Sequence, residues 1–271
     1  MSIAKVIIYV AGEMFFEYVY RTIVGNLWHS FHVATNAFVD AWVGEGCFFV
    51  AALTSIIVVC YCSRSAALYV YKGPISTVTM GIFAGLISGF LLEVIQVRFL
   101  EHAHSYAHYA LASKQQFPAT KEAMYCLAVA VTEETAFRAY LFPTIERTWG
   151  TGIALSATSA IFALGHLSNL GAFTNFNATL SILVVTFSGG FLFAACLVLT
   201  GRVWMSIALH FSLNFFHSLS YGDASVGVFP IGNIYFDPSK VNQLSFVLQS
   251  ICGLAILALA IRRGNWRNKP I

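Results

Sequence analysis

Charge is what this chain of 271 residues has least of. Only 10% of its side chains are Asp, Glu, Lys or Arg, where a soluble globular domain carries roughly 25%. That shortage excludes an ordinary water-soluble domain, and no polar stretch is long enough to form a separate one. The basic residues are spread over short turns and the C-terminal end, with a net charge of +3. They form no patch, which excludes nucleic acid as a partner. The six cysteines (Cys47, Cys60, Cys62, Cys126, Cys196, Cys252) fall in or beside apolar runs, where thiols act as small buried hydrophobes and not as a disulfide framework. Also lacking are a long-period repeat or low-complexity segment and a His-Glu-x-x-His zinc helix. Nor do two Gly/Pro-interrupted segments recur in two halves, as an inverted-repeat transporter would show.

What is present is apolar, at 58% of residues. A transmembrane helix needs about 20 mostly apolar residues, and such runs stand at 3–24, 45–62, 76–98, 122–145, 151–168, 178–200, 203–220 and 244–262. These predict an all-α, polytopic integral membrane bundle of about eight transmembrane helices, or seven if the first run lies on the surface. Residues 1–271 form a single membrane domain in this reading. The first run is interrupted by Glu13, Glu17 and Arg21, which does not fit the h-region of a signal peptide, so it is expected to stay in the mature protein. Brief polar turns separate most runs, and two longer loops lie at 99–121 and 221–243. One side of the bundle collects Lys5, Arg64, Lys72, Arg147, Arg202, Arg262, Arg263, Arg267 and Lys269. Because Lys and Arg are retained in the cytoplasm, both termini are expected there.

A charge at the bilayer centre costs at least about 2.5–3.5 kcal/mol on insertion scales, so an ionisable residue inside a span is a functional candidate by default. The run 122–145 carries Glu133, Glu134 and Arg138. Glu134 and Arg138 are i, i+4 neighbours, the spacing at which opposite charges meet on a helix. Glu133 points about 140° away from Arg138, which leaves it without a partner in its own helix and available as a general base. A structural ion network is the bland alternative for this helix. The next run ends on Phe162-Ala-Leu-Gly-His166, and the run 203–220 contains His210-Phe-Ser-Leu-Asn214 with His217 beyond. His210 and Asn214 share a face at i, i+4, with His217 near it at i+7. Each of these is equally at home as interhelical polar glue when read alone. Together, a carboxylate, a separate histidine and a donor pair are the parts that water-driven acyl hydrolysis requires.

These residues fit three ordered motifs on three runs: Glu-Glu-x-x-x-Arg, Phe-x-x-x-His and His-x-x-x-Asn. In that order the chain resembles the CAAX proteases and bacteriocin-processing enzymes, a family of intramembrane glutamate endopeptidases. The resemblance covers 122–220, the expected catalytic core. It implies that Glu133 activates water with help from His166, that His210 and Asn214 form an oxyanion hole, and that Glu134, Arg138 and Phe162 support the site. It also implies a membrane-associated protein or peptide as substrate, within the lipid bilayer, and no metal or other cofactor. It does not carry a prenylated substrate with it.

Two other classes compete. Glu133, His166 and His210 offer the ligand types of a zinc-dependent membrane hydrolase, and His102, His104 and His108 form a second cluster in a loop. A non-enzymatic transporter would also keep paired charges facing a bundle interior, as Glu13, Glu17 and Arg21, or Glu93 and Arg98, suggest. An immunity-type binding protein on the same fold is a further form of that reading, against which the intact Glu133, His166, His210 and Asn214 weigh. Finally, the span directions place the catalytic set between the bilayer centre and the non-cytoplasmic face.

Overall fold

The computed structural model describes residues 73–102, 108–109, 119–168, 176–221, 234–235 and 238–265. The expected runs at 3–24 and 45–62, and with them the count of eight, lie outside these residues, as does His104. Apart from one short strand pair the described chain is helical, with α1 (Ile75–His102), α2 (Ala119–Glu134), a π-helical segment (Thr135–Leu141), α3 (Phe142–Gly165), one 3-10 turn (His166–Ser168), α4 (Phe176–Thr200), α5 (Trp204–Tyr221) and α6 (Pro238–Arg262). The two long loops meet in a two-residue antiparallel pair, β1 (His108–Tyr109) with β2 (Ile234–Tyr235), His108 lying opposite Tyr235.

Three of these helices are long and apolar enough to cross a membrane by length and composition: Ile75–Gln96, Phe176–Thr200 and Val241–Arg262. They coincide with the runs expected at 76–98, 178–200 and 244–262. Ile75, Met80, Phe83 and Ile87 on α1, and Ile251, Leu254 and Ile261 on α6, are exposed. Rows of large exposed apolar side chains of this kind are what lipid-facing surfaces require. The chain is therefore a membrane protein. The other three expected runs are also helical, but they carry the polar residues described below or are broken by a turn.

Two local sequence features shape the middle of the chain. The widened turn of the π-helical segment, in which the Phe142 N–H donates to the Phe137 carbonyl, immediately precedes Pro143. Proline has no N–H to give the carbonyl four residues back and clashes with it in a regular α-helix, and a π-turn relieves both problems. Gly150 then takes φ 81° and ψ 169° inside α3, a left-handed φ that favours glycine. The chain breaks direction there, which is why two apolar runs were legible at 122–145 and 151–168.

In lipid there is no hydrophobic drive between helices, so close approach of small residues and interhelical hydrogen bonds take over. Gly81 of α1 faces Met205, Gly85 faces Ala208 and Gly89 faces Ser212. The numbering rises together, so α1 and α5 run parallel. A Cβ added at Gly85 would lie 2.7 Å from Ala208 Cβ, and one at Gly89 2.5 Å from Ser212 Cβ, so no larger residue fits. Ser212 Oγ donates to the Leu86 carbonyl at 2.9 Å across the same seam. α4 and α6 pair in the same way, through Gly253 against Phe191 and Ser188 Oγ donating to Gln249 Oε1 at 2.7 Å.

Ile145, Leu155, Leu197, Val203 and Ala260 pack into one cluster. Arg147, Arg202 and Arg262, close in the chain to these residues, therefore lie at one end of the bundle. Asn265 Nδ2 donates to the Leu199 carbonyl at 2.7 Å, which holds the end of α6 at that same end. His166, at the C-terminal end of α3, lies toward the other.

Candidate functional site

Glu134 is the hub of the site. It is 0% exposed, as is Arg138, and the Arg138 Nη1 donates to Glu134 Oε1 at 3.1 Å, the i, i+4 pair expected from spacing. The same oxygen lies within hydrogen-bond distance of His210 Nδ1 of α5, at 2.9 Å. Arg138 Nη2 donates to the Gly190 carbonyl of α4 at 2.8 Å, so one guanidinium joins the π-helical segment to α4. A Cβ at Gly190 would stand 3.2 Å from Phe162 and 3.4 Å from Arg138 Nη2. A side chain there would press on both.

Aromatic faces enclose the charges. The Arg138 guanidinium carbon lies 4.7 Å from the Phe162 ring centre, 5.4 Å from Phe193 and 5.6 Å from Phe137, distances at which a ring face attracts a cation. His210 stacks on Phe193 with centroids 4.5 Å apart and planes 14° from parallel. Phe162 is a wedge that touches Arg138, His210 at 6.1 Å and His166 at 4.5 Å. That is the structural content of the Phe-x-x-x-His spacing.

Glu133 and His210 also come together, as helix spacing alone did not foretell. His210 Nε2 lies 3.8 Å from Glu133 Oε2, and the Glu133 side chain is 25% exposed. Among the described residues Glu133 Oε2 has no hydrogen-bond partner. His166 is oriented separately, its Nδ1 donating to the Phe162 carbonyl at 2.9 Å; no hydrogen bond or ion pair joins it to Glu133 among the described residues. Asn214 stands one turn beyond His210 on α5 and is half-buried. Burial thus decreases from the closed Glu134 and Arg138 floor to Glu133, His166 and Asn214.

A second polar layer lies further along α5, and the spacing of His210, Asn214 and His217 did not reveal its partners. His217 Nδ1 sits 3.5 Å from Glu93 Oε1 of α1, Ser218 Oγ donates to Glu122 Oε1 at 2.6 Å, and Ser245 Oγ of α6 donates to Gln96 Oε1 at 2.8 Å. Glu93 thus meets His217 across the α1 and α5 seam. The Gly81, Gly85 and Gly89 spacing is the signal that would have brought α1 to α5 from sequence, by the small-residue rule.

Both site histidines place Nδ1 against a carboxylate or carbonyl oxygen, an orientation that also suits metal-ligating imidazoles. Among the described residues, however, no three His, Cys, Asp or Glu side chains are grouped to hold one ion. Residues 116–216 match a family model described as type II CAAX prenyl endopeptidase Rce1-like. No curated protein and no solved structure matches the chain.

Proposed function

We propose, from the match of residues 116–216 to the family model of type II CAAX prenyl endopeptidases, Rce1-like, that this chain is a multi-pass intramembrane endopeptidase that hydrolyses its substrate with glutamate-activated water. The observation that carries the reading is the buried meeting of two motifs, in which His210 stands between Glu134 at 2.9 Å and Glu133 at 3.8 Å. Glu133, whose Oε2 has no hydrogen-bond partner among the described residues, takes the proton of the attacking water. His166, whose Nδ1 is committed to Phe162, turns Nε2 toward that water. Asn214 and His210 face the oxygen of the tetrahedral intermediate, and Glu134, Arg138 and Phe162 hold the arrangement. The substrate is a membrane-associated protein or peptide. The purified chain in liposomes should cleave membrane-anchored peptides, and complete inactivity against a broad anchored library would reject the assignment.

The reaction needs no metal in this reading. Exhaustive chelation should leave the cleavage rate within about twofold, since a lost metal-bound hydroxide would remove orders of magnitude. Stoichiometric zinc whose removal stops cleavage, and whose return restores it, would reverse the reading in favour of a zinc hydrolase.

The site opens to the non-cytoplasmic side. Arg147, Arg202 and Arg262 gather at one end, the end expected in the cytoplasm, and exposure rises from Glu134 toward His166 at the other. Such a site suits removal of a membrane-anchored tail or processing of an exported peptide. With all native thiols replaced, Leu167→Cys should react with a membrane-impermeant reagent in intact cells, and Arg263→Cys only after permeabilisation. The reverse pattern means the bundle is inverted and the substrate cytosolic.

A further inference from the structure

His210 meets two carboxylates in two different ways. Its Nδ1 lies 2.9 Å from Glu134 Oε1 and its Nε2 lies 3.8 Å from Glu133 Oε2. Glu134, paired with Arg138, acts as an acceptor, so the ring nitrogen facing it carries the hydrogen, and a neutral ring with its proton on Nδ1 presents a lone pair at Nε2. A lone pair cannot donate to an oxyanion. The Phe193 stack at 4.5 Å and the Phe162 edge hold the ring plane, so the ring cannot turn over to exchange its nitrogens. Building on the proteolytic reading above, the geometry points to Glu134 as a positioning residue that fixes His210 as the Nδ1–H tautomer. His210 then begins the reaction as a proton acceptor and becomes an oxyanion-hole donor only when the reaction hands it a proton.

The protons balance. As the water oxygen bonds to the carbonyl carbon, one water O–H breaks, its proton passes to Glu133, and the carbonyl π electrons move to oxygen. Glu133 passes that proton to His210 Nε2, its neighbour across the site. The ring, now an imidazolium with Nδ1–H still on Glu134, donates Nε2–H to the oxyanion beside the Asn214 amide. When the intermediate collapses, the C–N bond breaks with its electron pair going to nitrogen, which takes the Nε2 proton. The products are a carboxylic acid and an amine, and the ring is back in its starting tautomer. An interaction that exists only with the oxyanion raises kcat without tightening substrate binding.

The test is the ring itself. In full-length protein labelled with ¹⁵N-histidine and held in lipid nanodiscs, the signal lost in His210→Gln identifies the residue. Wild type should show hydrogen on Nδ1 and a bare Nε2 at neutral pH. In Glu134→Gln the carboxamide can turn its NH₂ toward the ring, so the Nε2–H form should appear, with kcat down about 10²-fold and KM within about threefold. Arg138→Lys disturbs the same ion pair from the other side but leaves the carboxylate on Nδ1, so the ring signature should stay. A resting wild-type ring with hydrogen on Nε2, alone or on both nitrogens, overturns the proposal. So does a signature that moves alike in Glu134→Gln and Arg138→Lys, since Glu134 would then be structural only. If Glu134→Gln does not fold, the wild-type spectrum decides by itself. A wild type that cleaves nothing sinks the proteolytic reading, while the spectrum still reports on Glu134.

Discussion

Glu133→Gln should lower proteolysis by about 10⁴-fold, the upper end of what general acid–base catalysis contributes, with yield and membrane insertion unchanged. The size of the effect follows from what the carboxylate has around it. Among the described residues Glu133 Oε2 makes no hydrogen bond, His210 Nε2 lies 3.8 Å away and the side chain is 25% exposed, so glutamine of nearly the same shape costs little packing or bonding. What it removes is the ability to accept a proton from water, and the proton path toward His210 goes with it. Thermal stability in detergent should therefore match wild type, and the inactive variant should retain bound substrate for capture. Cleavage by purified Glu133→Gln within tenfold of wild type would move the base elsewhere, with His166 the next candidate because its Nε2 is turned away from the Phe162 carbonyl.

The features legible in sequence are those encoded within one helix. The Glu134 and Arg138 contact, the shared face of His210 and Asn214, and the three apolar spans need only a period of 3.6 residues and a count of apolar positions. Hidden features arise between helices. Nothing local says that His210 meets Glu134, because that contact depends on α5 crossing the junction of α2 and the π-helical segment. The π-turn also defeats the regular periodicity used to aim Glu133, although Pro143 was there to announce it. Gly190 could not be singled out from sequence because its part is a carbonyl and the space a side chain would fill. His217 was placed on the right face of α5 but without Glu93, which reaches it only because Gly81, Gly85 and Gly89 let α1 lie against α5.

Arg138→Met should destabilise the protein by about 3–5 kcal/mol, the cost of breaking one side of a buried ion pair. Glu134 and Arg138 are both 0% exposed, so water cannot replace the lost guanidinium. Among the described residues the substitution leaves Glu134 with only the His210 contact, and it removes the Arg138 donor from the Gly190 carbonyl. Methionine conserves much of the aliphatic stem between Phe162 and Phe193, which confines the loss mainly to charge. At a few degrees per kcal/mol for a chain of this size, the melting temperature in detergent should fall by roughly 10 °C. The double variant Glu134→Gln/Arg138→Met separates the causes, since removing both charges eliminates the stranded carboxylate while leaving a neutral amide that can still bond the His210 ring. It should be more stable than Arg138→Met alone although it carries one more substitution, and proteolysis should be impaired in both. If the double variant is the less stable of the two, the guanidinium acts chiefly through its Gly190 and aromatic contacts. The hub of the site would then be the join between the π-helical segment and α4, with the ion pair secondary to it.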